Sequence, residues 1–242
     1  QIQNATKLIQ HLKENGLNRN PQPVNDEVSK LKKYIDNGRP TVVYFGQNDY
    51  ESGIYPYTKI SKSYHSPIFK SSDEAAIVLE KVCKKQGYNF IYKPHPTIYA
   101  MYGAPKGFSK ETIIVDKVNL DELIDLSTVT VTILSQTAYV SLIRGKPVIM
   151  LGYNQLRGKA CTYECFDEKD LEKTLMDAVH HGLTSEQKSA FIRHVAQLNR
   201  YYLFDEEQKT GESWGLPITA FEGKINAALK DSREMSSKAG SS

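Results

Sequence analysis

The 242-residue sequence has no run of 18 apolar residues, so it offers no candidate for a transmembrane helix. Cysteine is scarce: Cys83, Cys161 and Cys165 are an odd set without metal-ligand spacing. This argues against a disulfide framework and fits a reducing cytoplasm, with packing as the ordinary role of Cys161 and Cys165. An excess of one charge is also missing. The 31 Lys and Arg residues stand against 28 Asp and Glu, for a net charge of +3, and they form no basic stripe. A nucleic-acid surface is therefore not expected. Neither G-x-G-x-x-G nor G-x-x-x-x-G-K-[ST] occurs, so dinucleotide dehydrogenase and P-loop readings lack their phosphate cradles, and no cofactor is expected. His65, His180, His181 and His194 have no carboxylates at ligand spacing, and no metal site is expected. The opening "QIQNATKLIQHLKENG" is amphipathic and polar-rich rather than a signal peptide. A chain that begins with Gln rather than Met is expected to be processed or cut from a longer protein.

What is present is ordinary for a soluble globular chain, 40% apolar and 24% charged, long enough for one generous domain or two small ones. Leu8, Ile9 and Leu12 share one face of a helix over 5–16, which stops at Gly16. A polar, proline-bearing linker and a short helix over about 26–36 follow. Apolar runs at 41–45, 88–92, 111–115, 128–134 and 147–151 read as strands. Helices are expected over 71–87 (Ser72 as cap, Gly87 as stop), 119–127, 135–145 (from a Ser135 cap), 168–182 and 185–203. Short apolar strands alternating with helices imply a doubly wound parallel α/β sheet, Rossmann-like, with flanking helices. The expected organisation is a helical segment and linker over 1–39, the Rossmann-like domain over 40–182, helices over 183–231 and a low-complexity, disordered tail over 232–242.

Ligands of such sheets sit outside the carboxyl ends of the strands, which draws attention to the residues just after them. These are Gly46, Gln47 and Asp49, then Lys93, His95 and Pro96, then Ser135, Gln136 and Thr137, then Tyr153. In "YKPHPT", Pro94 and Pro96 fix the backbone around Lys93 and His95, as suits a rigid anion clamp. Ser135 and Thr137 open a helix, where free N–H groups favour phosphate, although a hydroxyl there serves equally as a simple cap. Asp49, in the loop "FGQNDYESG", is a candidate for acceptor activation or sugar binding, against the plain alternative of a solvated acidic loop. The connection over roughly 46–71 is long for a compact domain and suggests a functional loop.

Taken together, "VVYFGQ", "HSPIF", "YKPHP" and "LIDLSTVTVTILSQTAYVSLIRGKPVIMLG" resemble the donor-binding half of the bacterial capsule polysaccharide biosynthesis glycosyltransferases, a group that includes Kdo transferases. The resemblance spans about 40–165. It implies the GT-B fold, two Rossmann-like domains around a cleft, with the acceptor half absent or cut away. It assigns donor phosphate contacts to His95 and Pro96 and to Ser135 and Thr137. The segment "GYNQLRGKACTYE" follows the family only loosely, so Tyr153 and Gly158 are matched less firmly.

The implied activity is a metal-independent, inverting transfer of a sugar from a nucleotide sugar to a capsular or surface polysaccharide or glycolipid, with a CMP-linked acidic sugar as first choice of donor and UDP or CDP donors as alternatives. Asp49 and His95 are the expected catalytic residues; Gly46, Gln47, Lys93, Pro96, Ser135, Gln136, Thr137 and Tyr153 join His95 in binding substrate. The expected location is the cytoplasm, with the inner face of the membrane reached, if at all, through a missing or partner domain. Two alternatives stand beside this reading. One is a CDP-glycerol-type glycerophosphotransferase of teichoic acid synthesis. The other is a non-catalytic nucleotide-binding or scaffold module.

Overall fold

A computed structural model describes residues 1–16, 27–36, 38–103, 105–109, 112–201 and 223–231. The expected polar linker lies largely, and the expected tail over 232–242 entirely, outside the described residues. Contacts gather the chain into two compact units, Gln10–Ala190 and a second made of Gln1–Ile9 with Phe191–Ser242. The candidate site belongs wholly to the first.

That unit is built on β1 (Thr41–Phe45), β2 (Asn89–Lys93), β3 (Ile113–Ile114), β4 (Val129–Thr132), β5 (Val148–Met150) and β6 (Tyr163–Glu164). They form one parallel sheet in the order β3-β2-β1-β4-β5-β6. Chain direction across the sheet reverses between β1 and β4, which is where a doubly wound fold opens a crevice for ligand. The strands read as unbroken apolar runs because both faces are covered. Val42 and Tyr44 of β1 point into one core with Leu79, Ile149 and Leu175; Val43 and Phe45 point into the other with Ile91, Leu123 and Val140.

The helices are α1 (Ile2–Asn15), α2 (Glu27–Leu31), α3 (Lys59–Tyr64), α4 (Ser72–Gln86), α5 (Pro96–Tyr102), α6 (Leu120–Leu126), α7 (Thr137–Ile143), α8 (Leu171–His181) and α9 (Ser185–Tyr201). Within the first unit, α4 and α8 supply side chains to the first core, and α2, α6 and α7 to the second. A single 3₁₀ turn, Glu168–Asp170, leads into α8. In the second unit Arg200 pairs with Asp231 at 2.5 Å, joining α9 to a helical stretch over 223–231.

Several local expectations are corrected. Ser71, not Ser72, caps α4, its hydroxyl accepting from the Glu74 N–H at 3.1 Å. Ser72 is buried instead, beside Tyr44, which is hydrogen-bonded to it. The "KPHP" turn is also a helix start. Pro96 is the first residue of α5, where its missing N–H costs nothing, and His95 is the cap residue. The sequence reading missed α3 as well, which Thr58 and Ser61 close with a reciprocal capping box. The two-residue β6 was too short to leave a hydrophobic signature. All three cysteines are buried and free.

Candidate functional site

Strand register fixes the site. Phe45 at the end of β1 stands opposite Lys93 of β2 on one side and Thr132 of β4 on the other. Gly46 N–H donates to the Lys93 carbonyl at 2.8 Å, and the Thr132 hydroxyl donates to the Phe45 carbonyl at 3.2 Å. Three adjacent strands therefore end level. At about 4.8 Å per strand, the β2 and β4 ends lie roughly 10 Å apart, the scale of a nucleotide phosphate with its neighbours.

A cleft of about 500 Å³ opens over these ends, lined by Gly46, Lys93, Pro94, His95, Pro96, Ser135 and Thr137 among others. Its size suits a small organic ligand. It thus brings together six of the residues expected from the sequence: Gly46, Lys93, His95, Pro96, Ser135 and Thr137.

The cleft is lined by the basic side chains Lys93, His95 and Lys117 and by one carboxylate, Asp116. Lys93 is half-buried, its ammonium donating to the Pro94 carbonyl at 3.0 Å. Burial lowers its pKa from the usual value and the charge of Asp116 partly restores it. Burial also lowers the pKa of His95, offset by Glu51 and reinforced by Lys93. The His95 Nδ1 atom is buried and has no hydrogen-bond partner among the described residues. Such an atom is costly to leave unsatisfied unless something outside the chain completes it.

Ser135 and Thr137 form a matched pair. The Ser135 oxygen accepts both the Thr137 N–H (3.2 Å) and the Thr137 hydroxyl (3.0 Å). With its lone pairs so occupied, the Ser135 hydroxyl proton is the part left to donate into the cleft. Gln136, not Ser135, occupies the cap position of α7, in helical backbone and with no side-chain cap bond. Because α7 has only seven residues, an anion here would meet the hydroxyls and the basic side chains of Lys93, His95 and Lys117 rather than a strong helix dipole.

The remaining expected residues lie elsewhere. Gln47 is buried, with its amide oxygen accepting from Leu134 N–H at 2.8 Å and its nitrogen donating to Ser52 at 2.9 Å. It ties the loop after β1 to the turn after β4. Asp49 does not line the cleft. Its Oδ2 accepts from the Ser72 N–H at 2.8 Å, at the start of α4, and its Oδ1 is buried without a partner among the described residues. Burial first, then the charge of Asp73, raises its pKa from 3.8 to about 6, against the lowering effect of the Ser72 N–H. Gln136 and Tyr153 line a second, smaller cavity. Gly46 has a structural reason as well: a Cβ there would come within 2.8 Å of the Tyr92 hydroxyl.

Asp116 and Lys117 line the cleft and were not singled out from the sequence. They follow β3 directly, so the strand-end rule would have found them had it been applied to that strand. Among the described residues no group of three or more His, Cys, Asp or Glu side chains is arranged to hold a metal ion, and no helix is long and apolar enough to cross a membrane.

Comparison with known proteins gives no significant match among curated proteins. Among solved structures, the β-Kdo 2,4-transferase of Thermosulfurimonas dismutans KpsC superposes with a TM-score of 0.48 at 16% identity, covering 67% of this chain and 48% of that one. The β-Kdo 2,7-transferase of the same protein gives 0.43 at 17%, covering 82% and 62%. The wall teichoic acid polymerase TagF gives 0.47 at 16%, covering 70% and 43%. The chain thus spans roughly half the length of these structures. The family described as capsule polysaccharide biosynthesis protein matches residues 26–196, well over half of the sequence, and the chain belongs to that family.

Proposed function

We propose that this chain is the donor-binding half of a GT-B glycosyltransferase that moves a sugar from a nucleotide sugar, CMP-linked as first choice, to a capsular or surface glycan. The observation that carries the reading is the convergence of Lys93, His95 and the Ser135–Thr137 pair on one cleft at the point where strand order reverses. Membership of the capsule family supports the reaction class.

In the reaction an acceptor hydroxyl attacks the anomeric carbon as the bond from that carbon to the donor phosphate oxygen breaks, and configuration inverts. The bonding pair leaves with the nucleotide, so negative charge grows on its phosphate. Lys93, His95 and the Ser135 hydroxyl stabilise that growing charge, which is the catalytic contribution of this half. In this reading these groups supply the positive charge that the departing phosphate needs, without a metal ion. The acceptor proton goes to a base. The position of Asp49 beneath the start of α4 suits it to holding the loop that bears Gly46 and Ser52. We place the enzyme in the cytoplasm, with the acceptor glycan met at the inner face of the membrane.

The test is product analysis with the chain in its whole protein, supplied with CMP-linked sugars and a capsular or lipid-linked glycan. Nucleotide release with sugar, and no phosphorus, added to the acceptor is the expected result. A product that gains phosphorus makes it a glycerophosphotransferase. No turnover with any nucleotide-linked donor makes the chain a binding or scaffold module.

A further inference from the structure

One helix of the first unit is held unlike its neighbours. None of the seven residues of α5 is buried, and among the described residues no other helix or strand packs extensively against it. Met101 and Tyr102 are 64% and 67% exposed. The preceding helix α4, by contrast, sets Ala75, Ala76, Leu79 and Cys83 into the first core. Few buried apolar contacts mark an element of low local stability.

Free volume lies on both sides of α5. Pro96 and Ala100 line the charged cleft. Ile98, Tyr99 and Tyr102 line a separate cavity of about 240 Å³, whose further walls include Asp73 and Tyr92. At about 100° per residue the two sets fall on opposite faces of the helix. Pro94 lines both spaces, so α5 and the turn before it form the partition between them. A close-packed element cannot shift without opening voids. A helix with space before and behind it can.

The helix is also jointed at its ends. Tyr99 N–H donates to the His95 carbonyl at 2.9 Å and Gly103 N–H to the Tyr99 carbonyl at 2.8 Å, so the bonds run from end to end and hold it as one body. At the start, the prolines on either side fix φ and leave His95 as the pivot, with no side-chain cap bond to anchor it. At the end, Gly103 has φ 70° and ψ −157°, a region essentially reserved for glycine. A Cβ there would meet nothing within 4 Å, so backbone freedom rather than space is what glycine supplies.

We propose that α5 is a lid that closes over the cleft when a nucleotide binds, turning on His95 and Gly103. Closure carries Pro96 and Ala100 towards Val118 and Leu120, which line the same cleft. The coupling runs through His95, which is both the cap residue of the helix and a wall of the cleft, and whose buried Nδ1 lacks a partner among the described residues. A ligand shifts such an equilibrium only by binding one position better than the other. The phosphate contact to His95 and the cover that α5 lays over the nucleotide supply that difference, and the cavity behind gives the helix room to fall back when the cleft empties. The inference rests on the donor-binding reading above, because a nucleotide is what closes the lid.

The test is a distance measurement between two spin labels by pulsed electron paramagnetic resonance, on the whole chain. Cys83, Cys161 and Cys165 are buried, so labels go selectively to Lys81→Cys on α4 and Met101→Cys on α5, both exposed positions. Melting curves check that the labelled protein folds, and calorimetry with CMP, CDP and UDP finds the nucleotide it binds. The distance distribution should be broad in the free protein, then narrow and shift by several ångströms at saturating nucleotide. A control pair, Lys81→Cys with Lys173→Cys, joins α4 to α8, two helices that pack into the first core, and should not change. A distribution that a bound nucleotide leaves unaltered would overturn the lid while the cleft stands. An equal change in both pairs would mean a general rearrangement and overturn it too. If no nucleotide binds, the donor reading and the lid fall together.

Discussion

Replacing Asp49 by Asn removes a charge from a place where the fold does not welcome one. Asp49 Oδ2 accepts from the Ser72 N–H, while Oδ1 is buried and unpartnered among the described residues. Burial and the nearby Asp73 raise its pKa from 3.8 to about 6. A raised carboxyl means that folding favours the protonated form. Its contribution is fully present below the unfolded pKa, near 4, and is lost as pH rises through about 6. Two pKa units correspond to about 3 kcal/mol; discounted for the part of the side chain in contact with water, a cost of about 1–2 kcal/mol remains at neutral pH. Asn keeps an oxygen for the Ser72 N–H and drops the charge. The variant should therefore be the more stable protein at pH 7.5, melting a few degrees higher, with the difference shrinking towards pH 5. Thermal melts of both proteins across that range decide the matter. A variant less stable at pH 7.5, or a difference independent of pH, would refute the reasoning.

Other expectations follow from the same geometry. Gly46→Ala places a Cβ 2.8 Å from the Tyr92 hydroxyl and 2.9 Å from its ring, an overpacking expected to cost about 1–3 kcal/mol. Adding Tyr92→Phe should return part of that in chemical denaturation. His95→Gln should weaken nucleotide binding about ten- to a hundredfold, the loss of a charge-assisted bond. Because burial lowers the pKa of the free imidazole and a bound phosphate would raise it, nucleotide binding to the original protein should take up a proton and strengthen as pH falls. Calorimetry in two buffers of different ionisation enthalpy should show this uptake, and His95→Gln should abolish it. Thr137→Val removes the hydroxyl that occupies the Ser135 oxygen and should weaken nucleotide binding severalfold; unchanged affinity in titration would leave Thr137 as scaffold.

Much of the sheet was legible because a parallel strand buried on both faces leaves an apolar run such as "TVVYF", and helices such as α4 carry their own stops. The strand-end rule then found most of the cleft. The failures have particular causes. In the sequence Pro94 and Pro96 signal a rigid turn, yet proline at the first position of a helix also starts one, and α5 begins at Pro96. Gln136 stands between two cleft residues, but successive side chains on a helix turn by about 100°, and it faces the neighbouring cavity. Gln47 looked like a ligand residue because its two amide partners, Leu134 and Ser52, are known only from the folded chain. Asp116 and Lys117 directly follow the strand read over 111–115, and the strand-end rule reaches them once it is applied there.

The central claim is that one cleft, built from the ends of β1, β2 and β4, holds the phosphate of a nucleotide. The most direct measurement is a crystal structure of the chain with CMP or CDP, soaked without divalent metal. The account predicts a phosphate within hydrogen-bonding distance of the Lys93 ammonium, the His95 imidazole and the Ser135 hydroxyl. A nucleotide seated away from these three groups, or one bound there only when Mg²⁺ is added, would contradict it.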